Sequence, residues 1–167
     1  MADNLLLYVT DPQNLRIVSV AALSALLLLF LVLRHGLRDP LPKREPNCIR
    51  HTTITKLDRV YDGDTVFAHV KGHKPLDKKP IGIRIRGIDT PEIRDSRPAV
   101  KKKAKEAKAL VESEMNKARK IHLYNVNMED KYGRMLAVVF CDRKDIAKLL
   151  LKKKLAKPYA GGKKQKW

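Results

Sequence analysis

The sequence predicts an α+β, mainly β domain, a five-stranded OB-fold barrel with two to three helices, preceded by an N-terminal transmembrane helix. Three observations carry this expectation. Strand-like and helical periods alternate in a fixed order after residue 51, a charge-free apolar run lies near the N-terminus, and the charge balance changes near residue 50. The 167 residues hold 36 Lys or Arg against 18 Asp or Glu, a net charge of +18. Residues 1–49 contribute only +1, so 50–167 carry +17. The length suits one ordinary domain plus an appendage, and so basic a domain draws polyanions, nucleic acid before anionic membrane.

Residues 17–33 run without a charge between Arg16 and Arg34. Seventeen residues just reach the length that spans a bilayer core, roughly 17 to 25. A buried core helix would show a polar face, for which Ser19 and Ser24 are too few. A signal peptide would carry a basic start, yet residues 1–14 hold Asp3 and Asp11 and no Lys or Arg. The expectation is a leader over 1–16, a single-pass anchor over 17–33, a basic linker over 34–50, and an OB-fold domain over 51–167. Arg34, Arg38, Lys43, Arg44 and Arg50 follow the run and Arg16 alone precedes it, which places the domain on the cytoplasmic side, with the exported side as the alternative. Pro40, Pro42 and Pro46 make residues 39–49 an extended tether.

Within the domain, 52–60 and 65–70 are β-rich and flank the turn-prone Tyr61-Asp62-Gly63-Asp64, which predicts a hairpin. Residues 71–80 read as a polar loop. A third strand follows over 81–88, with Ile81, Ile83 and Ile85 on one face and Arg84 and Arg86 on the other. The alternation slips at Gly87, where a bulge would turn Asp89 toward the arginine face. After Pro98 the period becomes helical, with Val100, Ala104, Ala107, Val111, Met115 and Ala118 in one stripe. Residues 121–127 and 134–141 are strand-like again, and 144–154 form a second amphipathic helix burying Ile146, Leu149 and Leu150. A helix inserted between the third and fourth of five strands is the order of an OB-type barrel. Cys48 and Cys141 form neither a disulfide framework nor a zinc site, and whether they pair depends on the compartment.

Three short runs carry the chemistry: Asp62-Gly63-Asp64-Thr65, then Arg84-Ile85-Arg86-Gly87-Ile88-Asp89-Thr90-Pro91-Glu92, then Asp130-Lys131-Tyr132-Gly133-Arg134. Asp and Gly alone are what hairpin turns use. The second run is sharper, because Pro91 fixes the exit from the strand and sets Asp89 and Glu92 on one corner. Asp64 and Asp89, with the Thr90 carbonyl, are suited to hold Ca²⁺ or Mg²⁺. A third acid can manage a proton, and Arg84 and Arg134 can grip a phosphate through the planar guanidinium fork. Tyr132 and Tyr159 can stack on bases or join the core.

In this order the runs resemble the staphylococcal nuclease (thermonuclease) family over about residues 52 to 160. The resemblance implies an OB-fold enzyme that hydrolyses DNA and RNA, single strands preferred, with Ca²⁺ as cofactor and Mg²⁺ or Mn²⁺ as alternatives. It implies cleavage of the 5′ P–O bond, 3′-phosphate products, low sequence specificity and a monomer. By position, Asp64, Asp89 and Thr90 resemble the metal ligands, and Glu92 the base that takes a proton from water. Arg84 and Arg134 resemble the arginines that stabilise the five-coordinate phosphorus. Asp62 resembles an acid behind the metal ligands, and Lys131, Tyr132 and Tyr159 resemble residues of the nucleotide pocket.

The chain departs from the family pattern in three places: Arg86 where an aliphatic residue is common, a short 93–98 segment, and an end at Trp167 with no long helix after Tyr159. The last carries an expectation of reduced stability. The competing reading is a non-catalytic, membrane-tethered OB module that binds nucleic acid, and loss of acids or arginines would mark it. All the matching positions are filled.

Overall fold

The computed structural model describes residues 22–31, 39–72, 79–128 and 133–167. They fall into two units, divided between Arg38 and Asp39. In the first, 22–31 is an exposed helix. The remainder of the expected 17–33 span lies outside the described residues, and among those described no helix is long and apolar enough to cross a membrane.

In the second unit the strands are β1 (Ile49–Val60), β2 (Thr65–Val70), β3 (Ile81–Ile85), β4 (Ile88–Asp89), β5 (Ile121–Asn127), β6 (Met135–Cys141), β7 (Lys144–Asp145) and β8 (Lys157–Pro158). The helices are α1 (Pro98–Lys117) and α2 (Ile146–Lys152). Pairing runs β3-β2-β1-β5-β6-β7, and a parallel β3–β6 contact, Ile83 opposite Met135 and Ile85 opposite Ala137, closes the main strands into a barrel. Closure needs a strand that serves two neighbours. The long β1 does so, pairing its first half with β5 and its second half with β2, and it bends at register shifts after Ile54 and Leu57. The strand order expected from the sequence is therefore present as a five-stranded barrel.

Inward-facing Val66, Ile83, Ile85, Leu123, Met135 and Val139 fill the barrel, each 1% exposed or less. Helix α1 covers one end with Ala104, Ala107, Val111 and Met115, the apolar stripe of the sequence, while its lysines face solvent. Pro98 occupies its first turn, where a missing N–H costs nothing. Helix α2 starts two residues later than its periodicity suggested. Asp145 accepts a hydrogen bond from Lys148 N and is the N-cap, so Lys144 and Asp145 are left to pair with Cys141 and Phe140. Ile146 and Leu150 are buried as expected, but Ala147 completes the buried face and Leu149 is half-buried.

The proline-containing tether is a further difference. Residues 39–48 form no long element, yet they lie against the barrel. Asp39 N donates to Arg143 O at 3.0 Å, Asp145 N to Asp39 Oδ2 at 2.8 Å, and Asn125 Nδ2 to Lys43 O at 2.7 Å. Proline removes backbone donors, so the segment is held at a few points, by backbone atoms of Arg143 and Asp145 and by the Asn125 side chain. Cys48 and Cys141 are free thiols, and burial pushes Cys141 up to about 12.

Candidate active site

The loop between β1 and β2 sets the first acids. Tyr61 N and Asp62 N both donate to Thr65 O, and Asp62 Oδ1 accepts from Asp64 N at 3.1 Å, so the turn is closed by its own acid. Gly63 is required by contact. A Cβ there would lie 2.7 Å from Ala107 Cβ and 2.8 Å from Thr90 Cγ2, so its absence lets the loop press on α1 and on the second acidic corner.

That corner follows β3. Gly87, at φ +85°, reverses the chain in a conformation glycine adopts readily. Asp89 is thereby carried back to the arginine face, and Arg84 Nη2 donates to Ile88 O at 3.1 Å and to Asp89 Oδ1 at 3.3 Å. The same guanidinium pairs with Asp64 Oδ1. Thr90 joins the two corners, donating to Asp64 Oδ2 from its N–H at 2.9 Å and from its hydroxyl at 3.0 Å. Asp64, Asp89 and Thr90 are 2 to 3% exposed, and Arg84 pairs with both acids in that burial. Burial raises the Asp62 carboxyl, Arg84 opposes this, and Glu92 adds to it.

Arg134 stands at the head of β6. Its stem lies over Gly82, whose missing side chain leaves it room, and its Nη1 donates to Thr65 Oγ1 at 3.3 Å. Glu92 is exposed on the other side. A cleft of about 980 Å³ joins these groups, lined by Tyr61, Asp62, Arg84, Glu92, Arg134 and Tyr159 among others. Tyr159 is set there by its N–H to Gly87 O and by the β4–β8 pair, Asp89 opposite Lys157.

Thus Asp62, Asp64, Arg84, Asp89, Thr90, Glu92, Arg134 and Tyr159 gather at one end of the barrel. Lys131 and Tyr132 lie outside the described residues. Arg86 lines the cleft as well, but its Nη1 pairs with Glu45 at 2.9 Å and its Nη2 donates to Asn125 O, so it ties the 39–48 segment to the cleft wall. Sequence reasoning missed Glu45, Tyr61, Lys164 and Trp167. Lys164 Nζ sits 2.9 Å from both Asp89 Oδ1 and Glu92 Oε1, and the Trp167 indole N–H donates to Asp89 Oδ2 at 3.3 Å. The lone tryptophan in a lysine-rich tail was the available signal.

The acids supply only oxygen donors, which suits a hard divalent cation, and Lys164 shows that a positive charge is accommodated beside Asp89 and Glu92. Among the described residues no set of three His, Cys, Asp or Glu side chains is arranged to hold a metal ion. The acids are instead balanced by Arg84 and Lys164.

The sequence matches the family described as staphylococcal nuclease homologue over residues 82–166. It is 34% identical over 102 residues to an uncharacterized protein of Bacillus anthracis, covering 60% of this chain and 45% of that one. It is 31% identical over 102 residues to endonuclease YncB of Bacillus subtilis (strain 168), covering 60% and 46%. Identity is 37% over 91 residues to a probable staphylococcal-like nuclease of Oryza sativa subsp. japonica, covering 54% and 25%. The match to each of these curated relatives therefore covers less than half of the relative's length.

Proposed function

This chain belongs to the staphylococcal nuclease homologue family, and on that premise we propose that it is a metal-dependent endonuclease cutting DNA and RNA with low sequence specificity. The observation that carries the reading is a cleft lined by Asp62, Arg84, Glu92 and Arg134, with Arg84 also paired to the buried Asp64 and Asp89, in a strongly basic domain. Endonuclease names among the similar proteins support it.

The residues divide the work by position. Asp64 and Asp89, with the Thr90 carbonyl, would hold the cation, Ca²⁺ first and Mg²⁺ or Mn²⁺ as alternatives, and the ion would supply positive charge that polarises a phosphate. Glu92 is the exposed acid of the cluster and accepts the proton of the attacking water. Arg84 and Arg134 enter from neighbouring strands and donate to phosphate oxygens as negative charge builds on them. Arg84, paired with Asp64 and Asp89, is held at the cleft wall, where it can donate to a phosphate oxygen. Tyr159, at the cleft wall, offers a face for a base or sugar, and the family resemblance assigns Lys131 and Tyr132 to nucleotide binding as well. Asp62 braces the turn that presents Asp64. Cleavage of the 5′ P–O bond, 3′-phosphate ends and action as a monomer complete the reading.

The apolar run over 17–33 supports a single-pass membrane anchor, and the flanking charges favour the cytoplasmic side for the domain. The test is cleavage of labelled single-stranded DNA and RNA by the full-length chain with Ca²⁺, followed by end-group analysis. The expected result is ion-dependent cutting that leaves 3′-phosphates. A folded sample inactive with Ca²⁺, Mg²⁺ and Mn²⁺ overturns it.

A further inference from the structure

The segment after β8 does not leave the domain. Gly161 and Gly162, at φ +99° and +83°, turn it back over the cleft, and the Tyr159 hydroxyl fixes the bend by donating to Gly162 O at 3.0 Å. Two contacts then seat it on the acids, the Lys164 ammonium on Asp89 and Glu92, and the Trp167 indole N–H on the other Asp89 oxygen. Three more hold its end. Arg97 donates to Trp167 O at 2.5 Å, Lys157 donates to Lys166 O, and the Lys157 ammonium lies 4.8 Å from the centre of the indole ring.

Both oxygens of Asp89 are thus engaged by the tail, on the same carboxylate to which a divalent ion is assigned above. The charges point the same way. Asp62, Asp64, Asp89 and Glu92 exceed Arg84 and Arg134 by two negative charges, and Lys164 removes one of them. An ammonium and a divalent ion brought to the same buried carboxylate repel each other.

We propose that residues 160–167 are a self-supplied plug of the acid cluster, with Lys164 seated on Asp89 and Glu92, so that a divalent ion and the seated tail exclude one another. The inference rests on reading Asp64 and Asp89 as the cation site. It makes the tail a competitor of the ion, keeping buried acids neutralised in the resting chain and releasing them when the ion enters. Once displaced, Lys163, Lys164, Lys166 and the indole become available to a phosphate backbone and its bases at the mouth of the cleft.

Trp167 is the sole tryptophan, so intrinsic fluorescence reports the tail directly. The experiment titrates Ca²⁺ into the full-length chain and into Lys164→Gln and Lys164→Arg, following heat for affinity and tryptophan emission for tail position. A tail seated for nine-tenths of the time weakens the apparent affinity roughly tenfold. Lys164→Gln is therefore expected to bind Ca²⁺ several-fold to tenfold more tightly, Lys164→Arg to return to the parent affinity, and saturating Ca²⁺ to shift the parent's emission to the red. Equal affinity in all three proteins, with emission unchanged at saturation, overturns the plug and leaves the ion site standing. Absence of Ca²⁺ binding in all three overturns the ion site and the competition together.

Discussion

Arg84 Nη2 lies 3.3 Å from Asp89 Oδ1 while the same guanidinium pairs with Asp64, so one cation from β3 is shared by two acids that are nearly excluded from water. Removing it leaves Asp64 buried without a cation and Asp89 with Lys164 alone, the costly case for a buried acid. Arg84→Met is expected to be less stable by about 3 kcal/mol in urea unfolding without divalent ions. Added Ca²⁺ should narrow that gap. An unchanged unfolding midpoint would mean that the acids are neutralised by other groups.

Gly63 lies where the first acidic loop has no room for a side chain. A side chain there meets Ala107 and Thr90 at less than 3 Å, one of them on a helix and the other holding Asp64. Gly63→Ala should cost about 2 kcal/mol, the range for overpacking, and lower the thermal midpoint. Full stability in this variant would show that the loop does not press on α1.

His51 and His122 share a hydrogen bond of 2.9 Å between ring nitrogens on the outer face of β1 and β5, remote in sequence from the acid cluster. Burial holds His122 below its ordinary value of 6.5, and the His51 and Lys120 charges add to this. A depressed histidine means that the unfolded chain binds the proton first as pH falls. Its contribution is present above 6.5 and is lost as pH drops toward the folded value. Stability measured from pH 8 to pH 5 should fall through that window, and His122→Gln should flatten this part of the profile.

The 39–48 segment is fastened by Arg86 to Glu45 and by Asn125 to the Lys43 carbonyl. Glu45 is 43% exposed, so the pair itself contributes only about 0.5 kcal/mol, and Asp39, the Lys43 carbonyl and the Glu45 N–H hold the segment beside it. Glu45→Ala should leave global stability nearly unchanged while speeding tryptic cleavage at Lys43 and Arg44. An unaltered cleavage rate would mean that the backbone contacts suffice.

The barrel was legible because its strands are bounded by turn residues and its helix α1 carries a clean apolar stripe. Ile121–Asn127 follows directly from alternation, and the acids and arginines of the cleft from their places beside Gly63 and Gly87. Contacts between segments far apart in sequence were not legible. Residues 39–48 look like a tether because prolines break local structure, yet side chains of Asn125 and Arg86 hold them. The tail looks like a solvated run of lysines, and only the fold brings Lys164 to Asp89. The start of α2 was misjudged by periodicity, because Asp145 serves better as a cap than as a helical residue.

Glu92 and Arg134 line the cleft without belonging to the buried Asp64–Asp89 pair, so changing them tests chemistry with the least disturbance to the fold. The decisive measurement is turnover against retention of one labelled single-stranded oligonucleotide by the parent chain, Glu92→Gln and Arg134→Ala, with Ca²⁺ present. The expected result is a loss of turnover of about a hundredfold or more in each variant, with retention changed only a few-fold. Cleavage at the parent rate in both variants would contradict the assignment of this cleft as the site of phosphodiester hydrolysis.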